Sequence, residues 1–279
     1  MKLIKKYRNI LDTGLGSIEV WDNSQANTSL ENRINTITKV ASVCFGKDEA
    51  KNPKALYNRL IKESMGLPSS SFEFVPVLLP EGIICELDSE YNVNDLYKFG
   101  EIVKHKDGYN RVLTNLRALI NVVGVENSIN YLNTNKEDIE TIKNNYFVFK
   151  IETDIVTARQ WMRHRLGAYN EKSRRYTKDE PTIYTPSSLN KVVVEDLFGN
   201  FYDIENYIDL SLKMYNEALK KTSAQDARYL LPLGLMTTIW VGGSKRYWKN
   251  FIELRTDKHA QPEIRKYAEI IKKEIGGKL

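Results

Sequence analysis

Cysteine is nearly absent. Cys44 and Cys85 are the two in a chain of 279 residues, too few for a disulfide framework or a four-cysteine zinc site, and no metal centre is expected. Long hydrophobic runs are missing as well. The longest, such as 229–236, fall far short of a bilayer crossing and contain Pro232, so no membrane partner is expected. The Lys-rich start leads into no apolar signal core, so the chain reads as a cytoplasmic protein. No low-complexity segment and no linker rich in Pro, Gly or Ser divides it. What is present is a globular composition: 42% hydrophobic and 28% charged residues suit a soluble folded chain. At roughly 150 residues per domain the length allows one or two, and it suffices to bury a core without cross-links.

Charge is unevenly placed. The net charge is +5, yet the twenty residues from Arg159 to Lys178 hold seven Lys or Arg against one Glu. That stretch carries +6 and leaves the other 259 residues at −1. A nonspecific nucleic-acid coat would be basic throughout. One basic spot on a near-neutral body points instead to a localised anion site, and no nucleic-acid partner is expected.

Apolar spacing predicts helices over 28–43, capped by Ser29, and over 53–65, stopped by Gly66 and Pro68. Residues 72–79 look extended, with Pro76 marking an edge or a strand end. Phe147, Phe149 and Ile151 alternate over 147–152 as in a half-buried strand. Thr153 or Asp154 then caps a helix expected to run to about Leu166, with Ile155, Ala158, Met162 and Leu166 inward. Further helices fit 203–221, 244–254 and 262–275, the last with Pro262 in its first turn and Gly276-Gly277 beyond its end. The fold class is α+β. The stretch 75–146 is rich in Asn, Lys and Tyr, includes a helix-like run from Val112 to Val123, and reads as an insertion into a single domain spanning 1–279.

Chemistry concentrates between 159 and 176. On a helix, Gln160, Arg163 and His164 share a face opposite the apolar stripe. If the chain is extended after Asn170, then Glu171, Ser173 and Arg175 project to one side. Guanidinium groups, an amide, a hydroxyl and an imidazole would then converge, a set that clamps phosphate and reads a planar heterocycle. A solvated basic helix followed by a loop accounts for the same residues, and a nucleic-acid face with interleaved Arg and Tyr is a third reading.

Arg163-His164-Arg165, seven residues, then Ser173 is the RHR-x7-S signature of the flavin-dependent thymidylate synthases, the ThyX family, and the chain resembles that family. The flanking Arg159-Gln160-Trp161 and Asn170-Glu171-x-Ser173-x-Arg175-Tyr176 agree. So do Ala227-Arg228 before Leu231-Pro232, Arg246, Asn250, and Leu254-Arg255-x-Asp257-x-His259-Ala260-Gln261. Val40 to Phe45 and Phe72-Glu73 resemble its N-terminal segments. The resemblance implies a ThyX-like fold with helices packed on a mostly antiparallel sheet. It implies reductive methylation of dUMP to dTMP, with methylenetetrahydrofolate as carbon donor, NADPH as reductant and FAD as cofactor. It also implies a homotetramer whose active sites are shared between subunits.

Carried over residue by residue, the resemblance puts Gln160, Trp161, Met162, Arg163, Glu171, Lys172, Ser173, Arg174, Arg175, Arg228 and Arg255 at dUMP. Arg255 is the catalytic candidate, since a fixed guanidinium favours an anionic uracil with a more nucleophilic C5. The FAD candidates are Ser70, Arg163, His164, Arg165, Glu171, Ser244, Arg246, Asn250 and His259. Taken singly, Arg255 with Asp257 reads equally as a local ion pair. The chain departs from the family at Leu67, Ala168 and Ser244, and the 75–146 stretch has no counterpart in its short members. Within it, Asn115-x-Arg117-x-x-x-Asn121 repeats the family's flavin-contacting spacing, which is common on helix surfaces. The alternatives are a flavin-dependent hydroxymethylase of dUMP or a related pyrimidine nucleotide, a non-catalytic nucleotide-binding homologue, and a cysteine-dependent synthase, for which neither cysteine has Arg or His beside it.

Overall fold

The structure, a computed structural model, describes residues 1–63, 69–135 and 138–279. The expected stop at Gly66 and Pro68 and the departure at Leu67 lie outside them. The chain opens with a β-hairpin, β1 (Lys2–Arg8) and β2 (Ser17–Asp22), then two helices, α1 (Leu30–Ser42) and α2 (Pro53–Glu63). Ser29 caps α1 as expected, accepting from the Asn32 N–H. A 3-10 turn over Ser70–Phe74 leads into β3 (Pro76–Pro80), so Pro76 begins an edge strand. The rest of the 75–146 stretch is α3 (Glu81–Asp88), α4 (Asn94–Lys98), β4 (Glu101–Lys104), β5 (Asn110–Asn115), α5 (Leu116–Thr134) and α6 (Ile139–Asn145). The run from Val112 to Val123 is therefore not one helix. Asn115 ends the strand and caps α5 by accepting from the Ala118 N–H.

The core elements follow: β6 (Tyr146–Asp154), α7 (Ile155–Trp161) and β7 (Ala168–Glu171). A hairpin, β8 (Val193–Glu195) and β9 (Phe201–Asp203), precedes α8 (Ile204–Lys221) and α9 (Ala224–Ala227). The chain closes with β10 (Met236–Ser244), α10 (Lys245–Arg255) and α11 (Pro262–Ile275). The strands of the main sheet run in the order β1-β2-β6-β10-β7, and every adjacent pair is antiparallel. A separate antiparallel sheet, β3-β5-β4, lies within 75–146.

Strand β6 is buried on both faces. Phe147, Phe149 and Ile151 point into a core shared with Trp161, Trp248, Phe251 and Tyr267 from α7, α10 and α11. Val148 points the other way, into a second core with Val40, Phe74, Leu113 and Trp240. Leu78, Val103, Leu113 and Ile142 of the 75–146 stretch thus help cover a face that alternation alone left open. That stretch's own core, around Val77, Leu79, Val112 and Leu119, also takes in Ile37 of α1 and Tyr57 of α2.

Helix α7 stops five residues short of Leu166, so Arg163-His164-Arg165 lies in a turn. The cause is local. The Tyr169 hydroxyl bonds the carbonyls of Trp161 and His164, 2.7 and 2.9 Å away, satisfying groups that a helix end leaves orphaned. The chain then doubles back through Gly167, where an added Cβ would lie 2.6 Å from the Tyr247 ring. Met162 and Leu166 consequently stand exposed instead of completing the apolar stripe.

Asp154 starts α7 by accepting from the Thr157 N–H at 2.9 Å while almost fully buried. Asp154→Ala should cost about 1 kcal/mol of stability, the usual worth of such a cap. Urea melts at fixed protein concentration would read this as a lower midpoint; an unchanged midpoint would show that the cap does not hold α7.

Candidate functional site

Two clefts lie on either side of the turn that follows α7. The first, about 730 Å3, is walled by Arg159, Met162, Glu171, Ser173, Arg174 and Arg228 over an apolar floor of Ile155, Leu231 and Leu235. Lys172 also lines it. Ser173 is fixed by its backbone, with its N–H on the Cys44 carbonyl at 3.2 Å and its hydroxyl accepting from the Arg175 N–H. Asp179 anchors two of the cations, meeting Lys172 Nζ at 2.5 Å and Arg174 Nη1 at 3.3 Å. Arg228 reaches the cleft from the 3-10 turn after α9.

Glu171 ends β7 on this wall. Burial pushes its carboxyl above the usual carboxylate range, against the Thr237 hydroxyl and the Arg159 charge, which pull it back. Thr237 is a cleft residue that the sequence reading missed. It sits on β10 two residues before Ile239, which pairs with Glu171, and only the strand register reveals that neighbourhood. Asp179 was missed because four residues of irregular chain separate it from Arg174.

The second cleft, about 360 Å3, is lined by Arg163, His164, Arg165, Tyr247, Asn250 and Arg255, with Leu166 and Leu254. Its centre is one hydrogen-bonded set. Arg255 donates Nε–H to His164 Nε2 at 2.9 Å. Its Nη1 and Nη2 reach the Gln160 side-chain and backbone oxygens, each at 3.3 Å. Gln160 in turn donates to Gln261 at 2.5 Å. Since Nε2 accepts, the imidazole proton belongs on Nδ1, which faces the Asn250 side-chain oxygen at 3.4 Å. Burial and the Arg255 charge both hold His164 below the ordinary imidazole pKa. Burial and Arg163 likewise lower that of Arg255.

The expected site residues therefore divide. Met162, Glu171, Lys172, Ser173, Arg174 and Arg228 gather at the first cleft. Arg163, His164, Arg165, Asn250 and Arg255 gather at the second, with Gln160 behind Arg255. Arg255 bonds His164 and Gln160, while Asp257 meets His259 at 2.8 Å instead. Besides Gln160, six expected residues line neither cleft. Trp161 is fully buried against Phe251, ring centroids 4.2 Å apart. Arg175 turns outward to Gln225 at 3.0 Å, because the extended chain ends at Glu171 and a turn follows. Ser70 begins a 3-10 turn, Ser244 sits at the start of α10, and the His259 side chain is largely exposed. Arg246 bonds the Lys98 carbonyl.

Cys44 adjoins the first cleft but is poorly set up as a nucleophile. Its thiol donates to Asn170 at 2.8 Å, and burial together with the Glu171 charge raises its pKa.

The lowered His164 pKa has a definite sign. The unfolded imidazole takes up protons in the ordinary range near 6.5, and the folded one only at lower pH. His164 therefore leaves stability intact above that range and subtracts from it as pH falls through the folded pKa. Arg255→Ala should raise the His164 titration midpoint, since it removes a repelling charge and a donor to Nε2. Ring NMR titration checks this, and an unmoved midpoint would contradict it.

The family model described as "Thymidylate synthase complementing protein" matches residues 101–278. The flavin-dependent thymidylate synthase of Aquifex aeolicus is 32% identical over 219 residues, 74% of this chain and 68% of that protein. That of Thermosipho africanus is 39% identical over 135 residues, 44% of this chain. The chain spans 59% of the Thermosipho protein's length. A solved UMP/dUMP methylase PolB from Streptomyces cacaoi, bound with 5-Br dUMP, is 21% identical with a TM-score of 0.39, over 47% of this chain and 67% of that one. With most of the chain matched by the family model, including the two clefts and the signature that joins them, this protein belongs to the flavin-dependent thymidylate synthase family.

Proposed function

We propose that this protein is a flavin-dependent thymidylate synthase that methylates dUMP to dTMP, with methylenetetrahydrofolate as carbon donor and NADPH as reductant. The observation that carries the reading is the pair of basic clefts joined through 159–163, one sized for a nucleotide and the other centred on Arg163-His164-Arg165. The names of the relatives, flavin-dependent thymidylate synthases, agree with it.

In the first cleft, Ser173, Arg174 and Arg228 offer a hydroxyl and two guanidinium groups to a phosphate. Glu171, with its carboxyl pushed up, offers a hydrogen bond to the base or the sugar. The apolar floor takes the flat face of a pyrimidine.

The donor set of the second cleft fits FAD. Arg163 and Arg165 suit a pyrophosphate, and Asn250 and the neutral His164 suit a polar ring edge. At about 360 Å3 the cleft takes one portion of such a molecule. Bound there and reduced by NADPH, such a flavin would supply the hydride that completes the methyl group. Gln160 and His164 hold the Arg255 guanidinium in place, where it would favour the deprotonated uracil without reorganising during reaction.

We read the active enzyme as a cytoplasmic homotetramer with sites shared between subunits. The nucleotide candidates in one chain are split between two clefts, so a second chain would complete each set. We also read 75–146 as an insertion into one catalytic domain, on the grounds that it forms its own sheet.

Rescue of a thymidine-requiring strain, by a protein that purifies yellow with a flavin spectrum, tests the reading. Colourless protein that takes up no FAD and fails to rescue would overturn it. Ser173→Ala should weaken dUMP binding about tenfold, the loss of one hydrogen bond to a charged group, without abolishing turnover. A covalent Ser173–nucleotide adduct trapped during turnover would contradict that role.

A further inference from the structure

We propose that Glu101, on the 75–146 segment, is a positioning residue for the second cleft, supplying the capping bond at the start of the helix that carries Tyr247 and Asn250. The consequence for cofactor affinity rests on reading that cleft as the FAD site.

Helix α10 begins without a local cap. Ser244 occupies the N-cap position and its side chain makes no capping bond. The Arg246 N–H, one of the donors a helix start leaves orphaned, instead meets Glu101 Oε2 at 2.9 Å, across 145 residues of sequence. This is the bond a capping side chain makes to the second helical residue, and a carboxylate there also suits the helix dipole.

A second bond reinforces it. Arg246 Nη2 donates to the Lys98 carbonyl at 2.9 Å, a group at the C-terminal end of α4 that lacks a helical partner. Gly100 makes the double contact possible. A Cβ there would lie 2.3 Å from the Leu96 carbonyl oxygen, so the tight passage from α4 to β4 that presents Lys98 and Glu101 together needs a glycine. The holding segment is itself braced: Asn121 bonds Asp95 at 3.3 Å, and Arg117 meets Glu73 at 2.5 Å.

The residues displaced by a slack helix start are those of the cleft. Tyr247 is the next residue after Arg246 and bonds the Tyr169 hydroxyl at 2.9 Å. Asn250 lies one turn further on and faces His164. The Asn115, Arg117 and Asn121 spacing thus serves to cap and brace α5, and Arg246 serves as an anchor for the inserted segment.

The test compares Glu101→Ala and Glu101→Gln in the full chain. Amide hydrogen exchange at 246–248 is read without ligand. FAD affinity is read by flavin fluorescence, and dUMP affinity by calorimetry on FAD-saturated protein. Glu101→Ala should speed exchange at 246–248 and weaken FAD about fivefold, the factor a cap of ordinary strength represents, with dUMP affinity unchanged. Glu101→Gln keeps an oxygen that accepts from the Arg246 N–H and should restore most of both losses. Unchanged exchange in Glu101→Ala, equal loss of both ligands, or Gln as damaging as Ala would each overturn the proposal. If the unsubstituted protein takes up no FAD, the reading of the cleft fails, while the exchange comparison still decides whether Glu101 supplies the capping bond.

Discussion

The hydrogen bond from Arg255 to the imidazole of His164 ties the last turn of α10 to the turn that follows α7. Both clefts depend on that tie. It fixes the tautomer of His164 and, through Gln160, the placement of the wall between the clefts. A charged guanidinium against a histidine is tolerable because the ring is neutral, and burial and the charge itself keep it so. The arrangement is therefore self-consistent: the group that would be repelled by protonation is the one that prevents it.

Beneath the tie lies ordinary packing. Trp161, Trp248, Phe251 and Tyr267 fill the space between the main sheet and helices α7, α10 and α11. Buried aromatic groups of this size leave little room for the helices to slide. Trp161 is thus a site-building residue through its position in the core, while its neighbours Gln160 and Arg163 project outward. The same density explains why α7 ends where it does, since Gly167 and Tyr169 must pass beside the Tyr247 ring.

Much of this was legible in the sequence. The α+β class, the helices at 30–42, 204–221, 245–255 and 262–275, and the strand around Phe149 all carry strong periodicity or caps, and each is set by local forces. Residues of the basic stretch 159–178 line both clefts. What escaped was tertiary. The length of α7 was overestimated because its stop comes from Tyr169 and Gly167 and carries no proline. Arg175 was placed with Ser173 on the assumption of continued extension, whereas Ser173 heads a turn. Thr237 entered the first cleft through strand register, and Asp179 met the cleft residues Lys172 and Arg174 through chain reversal. The hold of Glu101 and Lys98 on Arg246 could not be read from spacing, because these partners lie 145 and 148 residues away.

The proposed function puts dUMP in the first cleft and, in the second, the group that would complete its methylation. A single-turnover reaction tests it directly, using purified protein with reduced FAD, dUMP and methylenetetrahydrofolate labelled in the methylene carbon, without oxygen. The account predicts that the label appears in the methyl group of dTMP, and that Arg255→Ala abolishes this transfer. Unlabelled dUMP recovered intact from flavin-loaded protein, or label recovered as a hydroxymethyl nucleotide, would contradict it.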